Sequence, residues 1–157
     1  MIESPPPSTS LALDNDVFND WRFQRPKTLQ AIKEYQAELK DLPALTSFTV
    51  FEALFGFEKK AVQRGLSETQ IAALRRTEGL VQSCSVLPFD QRAAELAAYI
   101  FARMGQAQRN RLRNDVLIAS TVVAHGYGVA SRNTRDFELI TTLLPPGLKL
   151  YLAIWSN

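Results

Sequence analysis

One cysteine and one histidine are all that 157 residues supply of the softer metal-binding and nucleophilic side chains. A single thiol excludes an internal disulfide, and one thiol with one imidazole cannot build a structural zinc cluster, so transition-metal chemistry is not expected. No Ser-His-Asp or Cys-His constellation is evident around the one imidazole. Long apolar runs are also missing; the longest stretches are a few residues, far short of a membrane span. Strong charge of one sign is absent too. A net charge of +2 argues against a general polyanion-coating role, although a local basic stripe stays open. The opening Met-Ile-Glu-Ser-Pro-Pro-Pro has neither the basic nor the apolar region of a signal peptide. These absences lead to the expectation of a cytosolic protein with no membrane partner.

What the chain does have is enough apolar material, 46% of residues, for one substantial core in a single domain. Residues 1–10 are rich in Pro and Ser and read as a flexible lead-in, with the domain running from 11 to 157. Leu11-Ala12-Leu13 reads as a short strand. Leu29, Ile32 and Leu39 recur at helical spacing through Lys27 to Lys40, and Asp41-Leu42-Pro43 ends that helix. Ala44 to Ser47 forms a second strand in this reading, and Val50, Phe51, Leu54, Phe55 and Phe57 crowd one side of the next helix. Thr49 and Glu52 have capping-box spacing, as do Ser67 and Gln70 at the head of a helix ending near Gly79. Cys84 to Leu87 is a further strand, and Phe89, Ala93, Leu96, Ala97, Ile100, Phe101 and Met104 define an amphipathic helix. Arg109 to Asn114 reads as a polar loop, with Asp115 opening a helix to His125. Strands follow near Val129 to Ser131 and within Leu148 to Ile154. Short strands alternating with longer helices imply a three-layer α/β/α sandwich on a mostly parallel sheet.

Four acids stand at element boundaries in that scheme. Asp14 follows the first strand, Glu52 lies one turn into its helix, Asp115 opens a helix, and Asp136 sits in the turn after the strand near Val129. Each has a purely structural explanation as a capping or dipole-favoured residue. Ligands of parallel sheets gather outside the carboxyl ends of the strands, however, and four acids delivered to one rim need a cation. Two carboxylates about 4 Å apart repel by roughly 4 kcal/mol at an effective dielectric near 20. Mg2+, or Mn2+, is the expected cofactor, since hard ions take oxygen ligands and leave room for a phosphate. Such a site hydrolyses a phosphodiester without a covalent nucleophile. His125 is expected to cap its helix at the C-terminal end.

Leu13-Asp14-Asn15-Asp16-Val17, Ser47-Phe-Thr-Val-Phe-Glu52-Ala-Leu-Phe-Gly56, Leu87-Pro-Phe-Asp90, Asn114-Asp115-Val-Leu-Ile-Ala119 and Ser131-Arg-Asn133-Thr-Arg-Asp136-Phe137 occur in this order. Together they resemble the PIN-domain nucleases, most closely the VapC-type toxins of toxin-antitoxin pairs. The resemblance implies a magnesium-dependent endoribonuclease, often a homodimer, inhibited by a small antitoxin whose tail covers the acidic groove. By position it makes Asp14 the first-strand metal ligand, Glu52 the helix glutamate, Asp115 the central metal ligand and Asp136 the fourth acid, with all four counted as catalytic and metal-binding residues. It has Asn133 orient the last turn and Gly56 permit close packing. Asn15-Asp16 departs from the Thr-Asn often found there, and Asp16 adds an acid that either binds metal or raises local repulsion. Arg113, Arg132 and Arg135, with Asn133, are the expected contacts to RNA phosphates, and Arg103, Arg109 and Arg111 extend that basic stretch. Trp21, Phe23 and Trp155 are expected to pack rather than stack on bases, and Cys84 to behave as a small hydrophobe.

Two alternatives compete. The first is a PIN-like module that binds RNA or a protein without cutting. The second is a haloacid-dehalogenase-like phosphatase with Asp14 as nucleophile and Asp16 as general acid, a fold that needs a later lysine; after Lys60 only Lys149 is available.

Overall fold

Leu11, Ala12 and Leu13 are buried on both sides, as the middle strand of a parallel sheet must be. A computed structural model describes residues 3–155 and shows this triplet as β1 (Leu11–Leu13). The chain continues through α1 (Asn15–Arg22), α2 (Pro26–Leu39), β2 (Ala44–Thr46), α3 (Ser47–Arg64), α4 (Glu68–Ser83) and β3 (Val86–Leu87). It then forms α5 (Gln91–Ala102), α6 (Gln106–Ala124), β4 (Gly128–Ser131), α7 (Thr134–Thr141) and β5 (Leu152–Ile154). The five strands are all parallel in the order β3-β2-β1-β4-β5, with Leu13 opposite Leu45 on one side and Ala130 on the other. Strand order reverses between β1 and β4, which places the crevice that receives ligands at their carboxyl ends.

Alternation along β1 sorts the core into two layers. Ala12 faces a cluster built from Leu96, Ala97 and Ile100 of α5, Leu112, Val116 and Ala119 of α6, and Phe137 and Ile140 of α7. Leu11 and Leu13 face Val17, Phe18 and Trp21 of α1 and Ile32 and Tyr35 of α2. The expected three-layer α/β/α architecture is therefore what the chain adopts. Trp21 meets Phe18 edge-on and Trp155 meets Tyr35 the same way, both at 6.2 Å between ring centres, so both indoles pack. Cys84 is half-buried against the second cluster, and burial pushes its thiol up to about 11, which keeps it inert. No described helix is long and apolar enough to cross a membrane.

Several boundaries differ from the sequence reading. Arg109 to Asn114 is not a loop: α6 starts at Gln106, so Asp115 lies in mid-helix. The run is rich in Arg, Gln, Ala and Leu, good helix formers, and its polarity is that of a solvated helix face. Helix α3 is capped one turn earlier than expected, by Thr46, whose Oγ1 accepts from Thr49 N at 3.1 Å; Thr49 and Glu52 form no capping box. Asn133 and Asp136 begin a helix, α7, rather than an isolated turn. Gly56 is exposed, and a Cβ there would meet nothing within 4 Å, so it serves no close approach. The Ser67–Gln70 capping box forms as expected, with bonds of 3.2 and 2.9 Å. Of the expected lead-in, Glu3 bridges to Tyr151, Ser8 N donates to Glu38, and Ser10 O accepts from Gly128 N; Met1 and Ile2 lie outside the described residues.

Candidate active site

Asp14 ends β1 at the topological switch point, and its backbone N–H donates to Ala130 O at 2.9 Å, so the main chain fixes its direction. The side chain is buried, at 5% exposure, and caps α1 by accepting from Asn15 N at 2.6 Å. Its second oxygen accepts from Ser131 Oγ, the last residue of β4, at 2.6 Å. Burial, then the charges of Asp16 and Asp115, push this carboxyl up to about 7, against the lowering effect of the two hydrogen bonds. Burial dominates because a carboxylate loses its hydration there.

Asp115 points to the same region from α6. Its carboxyl is raised to about 6, first by burial, then by Asp136 and Asp16, with Arg111 opposing. It accepts no hydrogen bond among the described residues. Arg111, one helical turn earlier, reaches over to Asp136 Oδ1 at 2.6 Å. At Asp136 burial acts upward, but hydrogen bonds from Asn133 and Arg111 and the charges of Arg111 and Arg135 outweigh it and hold the carboxyl below its usual range. Asn133 is the N-cap of α7, receiving Asp136 N at 3.4 Å and donating to Asp136 Oδ2 at 2.9 Å, which is the orienting role expected of it.

Glu52 stands at the edge of this field. Its Oε1 accepts from Asn114 Nδ2 at 3.0 Å, and it lines an open groove of about 320 Å3 with Asn15, Asp16, Thr49 and Arg132. Mutual repulsion thus links Asp14, Asp16, Asp115 and Asp136, while Glu52 borders the adjoining groove. Among the described residues, no three acidic, histidine or cysteine side chains converge tightly enough to make a ready metal cage. Asp136 is held by Arg111, Glu52 by Asn114 and Asp14 by Ser131. The donor set nonetheless fits a hard cation: every donor is a carboxylate oxygen, and burial, then neighbouring carboxylates, raises two of them.

The expected phosphate contacts divide. Arg132 lines the groove, but its Nε lies 3.0 Å from Asp20 and 3.9 Å from Asp16, so acids already engage it. Arg135 is exposed beside Asp136. Arg113 is not at the site. It lies two positions along α6 from each of Asp115 and Arg111, and it faces instead a hollow lined by Phe101, Arg109, Asn110 and Leu117. Arg111, expected with its neighbours to grip RNA phosphates, instead pairs with Asp136, and Asn114 and Ser131 are site residues that the sequence reading gave no role of their own. The signal for these two was adjacency: next to Asp115, and two residues before Asn133. His125 caps α6 as expected, and its ring lies 3.0 Å from Pro88 O and 3.4 Å from Asp90, outside the groove lining.

Ser131 serves two partners at once, donating to Asp14 and accepting from Asn133 N at 2.9 Å. Ser131→Ala is expected to lower unfolding stability by about 1–3 kcal/mol, because it strands the partly buried Asn133 N–H and removes a donor from a buried carboxylate. A denaturant midpoint unchanged from wild type would contradict that role. Lys149, the only lysine available to a dehalogenase-type site, pairs with Glu3 at 3.1 Å and precedes β5, away from the carboxyl edge.

A PIN-domain family model matches residues 11–142. The chain is 31% identical over 132 residues to the VapC ribonuclease Y4jK of Sinorhizobium fredii, across 82% of this chain and 90% of that protein. Among solved structures it resembles a chain of VapBC2 from Rickettsia felis bound to a promoter DNA fragment. There the TM-score is 0.66 and the identity 17%, over 93% of this chain and 98% of that one. A chain of DNA-bound VapBC from Salmonella typhimurium gives a TM-score of 0.66 at 21% identity, over 94% and 99%.

Proposed function

The chain belongs to the PIN-domain family, with a VapC ribonuclease as a relative 31% identical over 82% of this chain, and from that premise we propose that it is a divalent-metal-dependent endoribonuclease acting as a toxin. The observation that carries the reading is the gathering of Asp14 and Asp115, with Asp16 and Asp136 beside them, at the switch point of a parallel sheet, where burial and neighbouring carboxylates raise Asp14 to about 7 and Asp115 to about 6. Carboxyls raised in this way are ones that an arriving cation favours in the ionised form.

Asp14 and Asp115 would hold Mg2+ or Mn2+, with Asp136 and Asp16 adding negative charge beside them. When bound, such an ion makes a nearby water more acidic and offsets charge on the phosphate. Ser131 and the Asn15 N–H fix both oxygens of Asp14. Arg111 keeps Asp136 ionised, and Asn133 fixes its orientation. Glu52, steadied by Asn114, borders the groove where a strand can lie and is placed to accept a proton from an attacking water. Arg135 is exposed at the rim for a phosphate.

The similar structures are of VapBC complexes, and we extend a small antitoxin partner to this chain by analogy. A homodimer is part of the same reading. The exposed, mutually packed Phe51 and Phe55 on α3 support a protein partner at that face. The direct test is incubation of single-stranded RNA with the purified chain in magnesium and in EDTA. Cleavage confined to the magnesium arm is expected. RNA bound but left intact under every divalent ion would favour the non-cutting module instead.

A further inference from the structure

The groove beside the acids contains a cation that forms no ion pair among the described residues. Arg22, the last residue of α1, lines it, half-buried, together with Asn19, Asp16 and Glu52. Its guanidinium lies 5.6 Å from the ring centres of Phe18 and Phe23 and 5.7 Å from that of Phe57. It donates to Asn19 Oδ1 and, at 3.4 Å, to Thr77 Oγ1. No ion pair forms to it among the described residues, and its Nε is buried without a hydrogen-bond partner. Arg132 differs, since Asp20 and Asp16 engage it.

Three aromatic rings hold the guanidinium in place and supply no counter-charge; Asn19 and Thr77 each accept one N–H, and the buried Nε–H is left without a partner. A planar fork with open N–H groups matches the two oxygens of a phosphate. Helix α1 separates Arg22 from Asp14 by about 12 Å at 1.5 Å per residue, too far to touch the phosphate that the acids act on. We propose that Arg22, with the exposed Asn19 beside it, is a phosphate-binding subsite that grips a flanking backbone phosphate of single-stranded RNA. The proposal rests on the RNA-cleaving reading above. A nucleic-acid strand fits better than an acidic peptide, because the same ligand must tolerate Asp16 and Glu52 along the groove and carry phosphate to the acid cluster.

The test uses Asp115→Asn as an uncut parent and measures binding of a fluorescent single-stranded oligoribonucleotide across a salt series in magnesium. Adding Arg22→Gln is expected to weaken binding about tenfold and to flatten the slope of log K against log salt by about 0.7, the loss of one phosphate contact. Arg22→Lys should restore the slope and only part of the affinity. Asn19→Asp changes an exposed residue, leaves the aromatic slot filled and gives the guanidinium an internal acid, so it should weaken binding like Arg22→Gln. Melting curves establish that each variant folds. Parental affinity and slope in both Arg22→Gln and Asn19→Asp would overturn the subsite. If the parent binds no RNA, the RNA reading itself fails. Inorganic phosphate titrated against the Arg22 Nε–H NMR signal then decides separately: a shift keeps an anion subsite, and no shift removes it. An Asp- and Glu-rich peptide that loses binding on Arg22→Gln while the oligonucleotide does not would reassign the subsite to a protein partner and overturn the proposal as stated.

Discussion

Asp115→Asn is expected to cut RNA roughly a hundred- to a thousandfold more slowly than wild type, since it removes several kcal/mol of charge stabilisation at about 1.4 kcal/mol per tenfold. The loss should come without loss of fold. Asp115 accepts no hydrogen bond among the described residues, and its carboxyl is strained by burial and by Asp136 and Asp16, so a neutral amide of the same shape relieves repulsion. Higher metal-free stability together with lost activity identifies a functional acid. A structural acid gives the opposite pairing, lower stability with activity falling in proportion. Residual cleavage within a few-fold of wild type would remove Asp115 from the machinery.

The second large effect is in stability against pH. Asp14 and Asp115 have folded pKa values of about 7 and about 6, above their ordinary 3.8, so the folded chain binds these protons more tightly than the unfolded chain. Their favourable contribution is full below about pH 3.8 and is lost as pH climbs through those folded values. Asp136, held below its usual range, acts oppositely, but only in the acid region. Metal-free wild type should therefore melt lower at about pH 8 than at about pH 5, by on the order of 5 °C for each 1–2 kcal/mol in a chain of this size. The drop should shrink in Asp115→Asn. Magnesium should reverse it, because a ligand at a hundredfold excess over its Kd adds about 2.7 kcal/mol to the folded state. A melting temperature that is flat from pH 5 to 8 and indifferent to magnesium would show that the acids are not under the repulsion described.

Much of this was legible in the sequence because the cues are local. Leu11-Ala-Leu13 is apolar throughout and ends in an acid, which marks a central parallel strand and its carboxyl edge at once. The order of Asp14, Glu52, Asp115 and Asp136 likewise survives into space, at one edge of the sheet or bordering its groove. The start of α6 was not legible, because Gln106 to Asn114 presents mostly polar side chains, and a solvated helix face has the composition of a loop. That error placed Asp115 at a helix terminus and counted Arg113 among the groove residues, whereas the helical phase sends Arg113 to the far side. Arg22 was invisible for a different reason. Its environment is made by Phe57 and Thr77, remote in the chain, and no local pattern announces a cation enclosed by rings.

If these acids direct a water, with a cation's help, onto a phosphodiester, the ends of the RNA products carry the record of it when cleavage is run in heavy-oxygen water. A terminal phosphate monoester carrying one solvent oxygen is expected, formed in magnesium and absent in EDTA. A 2′,3′-cyclic phosphate formed equally in both would mean that the RNA 2′-hydroxyl is the nucleophile and the carboxylates are bystanders.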